Sequence, residues 1–283
     1  MSTNTPLKAS PFSYARELWS TRELLWNLTL REVRGKYRRT VFGQLWSLVN
    51  PLAQMLVYSL VFAIILRARP AVGDPSGLNI YPLWLLSGLL AWTFFSRVIQ
   101  ATMASLVSNA GLVKKVYFPR MQLPFSITLS TGFTWSLELG VLIVAILIFG
   151  GMPLPWIPLL LVLMVLLAMF AVGLGMLLAI VNVHFRDTQH FVTIALHLLQ
   201  YLTPVMYPIT IVESAAVGSR SWILPLYLAN PMQSFVSAFR AMLYDNTWPP
   251  LVDSIACVAW AVGIFTVGYL VFSRSERRLA ELL

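Results

Sequence analysis

The chain has 283 residues, 58% hydrophobic and only 11% charged, with 20 Lys and Arg against 11 Asp and Glu for a net charge of +9. That composition excludes a water-soluble globular fold, and six membrane crossings with their joints would use nearly the whole length, leaving no room for a second soluble domain. A lone cysteine, Cys257, excludes an intrachain disulfide and reads as a small lipid- or core-facing residue.

The polar N-terminus lacks a basic segment leading into an apolar core and a small-residue cleavage site, so no cleaved signal peptide is expected. Residues 12–30 predict an amphipathic helix at the membrane surface: Tyr14, Leu18, Leu25 and Leu28 fall at helical spacing, with Arg16, Glu17, Arg22 and Glu23 on other faces. Trp19 and Trp26 suit the headgroup boundary. A basic run follows, in which Arg31, Arg34 and Arg38 share a helical face with Arg39 next in line. Such a face suits lipid phosphates at roughly 1 kcal/mol per cation near an anionic surface; setting topology is the plainer role for the same charges.

Apolar stretches of about 20 residues or more predict spans at 46–66, 81–107, 124–149, 154–182, 189–210 and 251–273, each long enough at about 1.5 Å per residue to cross a core of about 30 Å. The layout is one transmembrane domain over 1–283: an interfacial and basic segment at 12–45, a six-span body at 46–273 and a tail at 274–283. Every other joint then faces one side, which collects 15 Lys and Arg against 4 (Arg67, Arg69, Arg220, Arg240) on the other, with Arg97 inside a span. The positive-inside rule places both termini in the cytoplasm, and this distribution argues against nucleic acid as the reason for the charge.

Two short joints fall on the basic side. In residues 108–120, Ser108 or Asn109 is positioned to cap a short helix that Pro119 ends, and His184–His190 forms the other joint. Span five is broken by Pro204 and Pro208, whose freed carbonyls must find protein or water. The apolar stretch 222–243, interrupted by Pro225 and Asn230-Pro231, predicts a re-entrant or interfacial helical hairpin on the external side; a seventh span would violate the charge asymmetry.

Sites for chemistry are sparse. No G-x-x-x-x-G-K-[ST] loop occurs, despite Gly173 and Gly175. His184, His190 and His197 lack metal-pair spacing, and the external acids Asp74, Glu213, Asp245 and Asp253 are scattered. Arg97 and Glu138 are ionisable residues inside spans, each expected to face protein, water or substrate. Counting helical rise from the span ends puts Glu138 some 10–15 Å nearer the outside, so the two are not obvious partners; they read as polar points along a conduit or, more plainly, as groups that hydrogen-bond between helices. Trp84, Trp92, Phe94, Phe95, Trp135, Tyr201, Tyr207 and Tyr227 supply rings that suit either a sugar path or a membrane-interface belt.

A series of short motifs runs in order along nearly the whole chain. They are Arg31-Glu32-Val33 with Tyr37, Gly43, Trp46 and Asn50-Pro51; Lys115-Val116-Tyr117-Phe118-Pro119-Arg120 with Leu123-Pro124; Phe185-Arg186-Asp187; Thr203-Pro204 with Tyr207-Pro208; and Asn230-Pro231 with Phe239-Arg240. The series resembles the polysaccharide-exporting ABC-2 type permeases, the membrane subunits of exporters for O-antigen, capsule, teichoic acid and galactan precursors. Many relatives carry an acidic residue where this chain has Met121, which puts an ion pair with a partner at that position in doubt.

The resemblance implies an all-α polytopic membrane protein of six transmembrane helices, an N-terminal interface helix and an external re-entrant hairpin between spans five and six. It implies no enzyme in this chain and no cofactor of its own. Two copies would form a conduit in the bacterial inner membrane, each binding a cytoplasmic nucleotide-binding subunit that holds ATP and Mg. Arg31, Arg34, Arg38 and Arg39 would lie near the portal for the pyrophosphate of a polyprenyl-linked glycan. Trp84, Trp92, Phe95, Arg97, Trp135, Glu138, Tyr201 and Tyr207 would line the conduit. Lys114, Lys115, Tyr117, Phe118, Arg120, Arg186 and Asp187 would receive the ATPase stroke, and Tyr227, Asn230, Pro231 and Arg240 would belong to an outer gate. Export of a drug or lipid is the alternative within the family; a membrane-embedded glycosyltransferase lacks the acid, histidine or metal cluster it would need.

Overall fold

The computed structural model describes residues 20–36, 43–65, 72–116 and 118–282, which are mostly helical with no strand among them. Arg38, Arg39, Tyr117, Tyr14, Leu18 and Trp19 lie outside the described residues. The helices are α1 (Arg22–Lys36), α2 (Trp46–Tyr58, continued as a π-helical segment Ser59–Ile65), α3 (Tyr81–Ser108), α4 (Ala110–Lys115), α5 (Gln122–Ile148), α6 (Ile157–His184), α7 (Thr188–Leu202), α8 (Ile209–Ala215), α9 (Ile223–Leu228), α10 (Pro231–Arg240, continued by a π-helical turn Ala241–Asp245) and α11 (Leu251–Leu282).

Among the described residues, four helical stretches are long and apolar enough to cross a membrane: Tyr81–Ser108, Gln122–Ile148, Leu154–His184 and Leu251–Glu276. α3 is central, because 83% of its most apolar window is buried inside the protein, against 39%, 39% and 22% for the others in chain order. Its sequence accounts for this: Leu85, Leu86, Leu89, Leu90, Trp92, Phe94 and Phe95 put apolar side chains on every face, and such a helix is stable only when surrounded. α5 is two-sided instead. Ile127, Thr131, Thr134, Trp135, Glu138, Leu142 and Ile146 are buried, while Leu129, Phe133, Leu137, Val141, Val144 and Ile148 form an exposed apolar stripe. Water would not tolerate that stripe; lipid or another membrane protein does.

Small residues bring α6 and α11 together. A Cβ on Gly173 would stand 2.7 Å from Phe265 Cα, and one on Gly268 would overlap the Gly173 carbonyl, so the two backbones touch. α11 runs on without a break beyond the apolar stretch that ends near residue 273, since the polar tail sequence keeps good helix formers.

The predicted first and fifth spans are the ones that depart from a single long helix. The first changes from α to π winding at Ser59. The fifth ends at Leu202 after 15 residues, about 22 Å of rise and short of a bilayer core. The proline-rich stretch after it is held in non-helical form by the rest of the fold.

One end of the bundle carries the start of α1, α4 and the Phe185–Asp187 joint, and is called the basic end; the other carries α8 to α10, and is called the hairpin end. α1 packs along α5, with Leu28 and Thr29 buried. Protein therefore covers part of the face that suggests a membrane-surface position, while Trp26 stays exposed.

Candidate functional site

The joint after α3 is built by hydrogen bonds that its sequence does not advertise. Asn109 precedes α4 but does not cap it with its side chain: Nδ2 donates back to the Ser105 carbonyl at 2.9 Å, and the Asn109 backbone carbonyl accepts from Leu112 and Val113. The helix ends at Lys115, four residues before Pro119, so proline is not its stop. Lys114 and Lys115 are exposed at its end, and Arg186 and Asp187 are exposed in the joint between α6 and α7. Phe118 is buried in the core. Arg120 is turned inward to α11, its backbone N–H donating to Glu276 Oε1 at 2.6 Å and its Nη1 to the Glu276 carbonyl at 2.8 Å. Glu276 itself is buried. Its place among Arg274, Arg277 and Arg278 reads as tail, which hid this role.

A groove of about 640 Å³ opens between α1, α3 and α5, lined by Arg31, Glu32, Gly35, Lys36, Ala101, Ala104, Ser108, Asn109, Ile127, Ser130 and Thr131. Arg31 links it to the joint, since its Nη2 donates to Asn109 Oδ1 at 2.9 Å and to Glu32 Oε1 at 2.9 Å. Arg34, on the same helix, is exposed. Partial burial, and then the like charge of Arg97, hold the Lys36 ammonium below its ordinary range, with Glu138 pulling the other way.

Arg97 and Glu138 are partners, contrary to the axial count: Arg97 Nη1 donates to Glu138 Oε1 at 2.6 Å. Rise per residue locates Cα atoms, but an extended guanidinium and a carboxylate reaching toward each other close an offset of several ångströms. Pairing is also what a charge at this depth requires.

At the hairpin end, side chains meet four of the carbonyls around the break in span five, those of Tyr201, Pro204, Val205 and Met206. Arg240 donates from Nη1 to the Pro204 carbonyl at 2.7 Å and from Nη2 to the Val205 carbonyl. Tyr81 hydroxyl donates to the Met206 carbonyl at 2.6 Å, and Tyr207 hydroxyl to the Tyr201 carbonyl at 2.8 Å. Asn230 donates to Thr203 Oγ1 at 2.8 Å while its Oδ1 caps α10 through Met232 N–H, and Pro231 sits at the first helical position, where a missing N–H costs nothing. The Arg240 guanidinium also lies over the Trp84 ring, 3.7 Å from its centroid, in space left by Gly88. Arg240 is thus a buried clamp on the broken segment.

The predicted conduit aromatics divide by what they touch. Trp84, Trp92, Phe95 and Trp135 are buried inside the chain. Trp135 stacks on Phe94 at 4.0 Å between centroids and meets Phe239 edge-on at 5.5 Å; Phe95 stacks on Phe170 at 5.2 Å. Tyr201 is exposed, and Tyr207 and Tyr227 share a hydroxyl contact of 3.2 Å. Trp92, Phe95, Tyr227, Asn230 and Pro231 converge on one largely apolar cavity of about 430 Å³.

Long apolar helices with lipid-compatible faces, a broken helix held at one end and a basic joint at the other define an integral membrane protein. The chain matches the ABC-2 type transporter family over residues 23–244, and it belongs to that family. It is 30% identical to the O-antigen export system permease protein RfbA of Myxococcus xanthus, over 94% of this chain and 97% of that protein. It is 26% identical to the protein of the same name from Klebsiella pneumoniae, over 92% and 95%. The polysialic acid transport protein KpsM of Escherichia coli is 24% identical over 64% of this chain and 69% of that protein.

Proposed function

We propose that the chain is the membrane subunit of an ATP-driven exporter of a polyprenyl-pyrophosphate-linked cell-envelope polysaccharide, such as an O-antigen or a galactan. The observation that carries this reading is the end-to-end likeness to O-antigen export permeases. Two copies of the chain form the path in the bacterial inner membrane, with the basic end and both termini in the cytoplasm. ATP and Mg belong to two copies of a separate nucleotide-binding subunit, which presses on the exposed Lys114, Lys115, Arg186 and Asp187. Counting α2 with its π-helical continuation and α7 with the held segment after it brings the crossings to six. α8 to α10 form the outer gate, pinned to span five by Arg240 and Asn230.

The basic face Arg31, Arg34, Arg38 and Arg39 receives the pyrophosphate. Among the aromatics, Tyr201, Tyr207 and Tyr227, with Trp92 and Phe95 at the cavity wall, are the rings best placed to meet sugar. The buried Trp84 and Trp135 act by holding the helices that carry those rings. Depletion of the chain in its native cell tests this reading: lipid-linked glycan should accumulate on the cytoplasmic face. A second reading, export of a lipid or drug, is favoured by the apolar cavity of about 430 Å³. No glycan accumulation on depletion, with a lipid accumulating instead, would select it.

A further inference from the structure

Arg97 and Glu138 lie between two cavities of opposite character, with Glu138 in the wall of one and the lining of the other a turn or two away along the same helices. Toward the basic end lies the groove lined by Arg31, Lys36, Ala101 and Thr131. Ala101 is four residues from Arg97 and Thr131 seven from Glu138, so each lies one or two turns away on the same helical face. Toward the hairpin end lies an apolar cavity of about 280 Å³ with Glu138 in its wall and Leu86, Leu90 and Leu142 around it. The pair stands between them on one seam.

As a structural bond the pair is poor value, because burying two charges recovers little over apolar residues of the same size. It is also incompletely used. Glu138 Oε1 takes one guanidinium N–H, while Glu138 Oε2 is buried with no hydrogen-bond partner. The two side chains differ in access: Arg97 is 25% exposed and Glu138 only 1%. The cation is therefore reachable and the carboxylate is not. Lys36 lies close enough for its charge to act on both. A planar guanidinium with an ammonium near it, one helical turn from a groove that small side chains help to wall, matches a phosphate oxyanion in shape and charge.

We infer that Arg97, with Lys36 beside it, is an anion subsite for a phosphate or diphosphate ester, and that Glu138 occupies Arg97 until the phosphate displaces it. In the empty protein Glu138 keeps a deep arginine neutralised. A bound phosphate takes over that role and frees the seam between the polar groove and the apolar cavity. This rests on the reading of the cargo as a phosphate-bearing glycolipid.

The test uses the full chain in phosphatidylcholine nanodiscs, with binding of geranylgeranyl pyrophosphate and of inorganic pyrophosphate measured by calorimetry. Glu138→Gln removes the competitor and should tighten binding about tenfold, whereas the charge-free pair Arg97→Gln/Glu138→Gln should weaken it about tenfold or more relative to wild type. The double variant leaves no buried lone charge, and an unchanged melting temperature shows that it folds. Binding by Glu138→Gln equal to or weaker than wild type, or a double variant that binds like wild type, overturns the subsite. A purely structural pair would make both variants err in the same direction.

Adding phosphatidylglycerol to the nanodiscs separates the sources. Competition assigns the subsite to bulk-lipid headgroups and its absence to a diphosphate ligand, and the subsite stands in both. Glycan export by the assembled transporter is scored in parallel. Export with no variant effect on binding refutes the subsite alone; the predicted binding order with no glycan export refutes the cargo alone.

Discussion

Arg120 and Glu276 lie 156 positions apart and are fastened backbone to side chain and side chain to backbone, at 2.6 and 2.8 Å. The tie joins the segment after α3 to the last helix at the basic end. A force applied at that joint therefore reaches α11 directly, and through the close Gly173–Gly268 contact it reaches α6.

Glu276→Ala should orphan the Arg120 N–H in a partly buried site and cost about 1–3 kcal/mol, whereas Glu276→Gln keeps an acceptor and should cost less than half of that. Thermal unfolding of the purified protein in one detergent ranks the two. Equal losses would mean that charge, not the acceptor, matters at this position.

Arg240→Ala should leave the Pro204 and Val205 carbonyls without donors and remove the cation from Trp84, for a loss of about 3 kcal/mol or more. Arg240→Lys reaches one carbonyl at a time and should recover only part of it. Hydrogen exchange over 200–208 reads the result: protection should fall in the order wild type, Lys, Ala.

Asp245 gives a pH dependence of known sign. Burial pushes its carboxyl up from 3.8 to about 6, with Arg240 acting to lower it and Asp74 to raise it. Between those values the folded chain holds a proton that the unfolded chain has lost, so this group's contribution is most favourable below about 4 and declines as pH rises through about 6. Melting temperature should therefore be higher at pH 5 than at pH 7, and Asp245→Asn should flatten the difference and raise stability at pH 7.

Gly268→Ala should be strongly destabilising because the new methyl overlaps the Gly173 backbone, which cannot yield without separating α6 from α11. Gly263→Ala, on the same helix with nothing within 4 Å of the new methyl, should be neutral or stabilising by up to about 1 kcal/mol. Comparable losses at both positions, read by thermal unfolding, would refute the close crossing.

The four long helices were legible because unbroken apolar runs leave no other way to satisfy a backbone in lipid. Tyr81 and Leu251 begin their helices where the apolar runs predict. The sequence also marks Pro204 and Pro208 as a break, but not what answers it: Arg240 and Tyr81 are remote in sequence, and no local pattern announces a carbonyl acceptor. Hydrogen bonding between helices was legible for Arg97 and Glu138 as buried charges, but not that they bond to each other, because helical rise says nothing about where long side chains end. Glu276 was obscured by the arginines around it, and Phe118 by an aromatic-basic joint that looks like surface while its ring is buried. Pairing across helices is a property of packing, which a single chain's periodicity does not encode.

The measurement that tests the central claim most directly is reconstitution of the chain, with and without a nucleotide-binding subunit, in vesicles loaded with lipid-linked polysaccharide. Glycan should cross the membrane only when both subunits and ATP are present. Movement of glycan by this chain alone would contradict that claim.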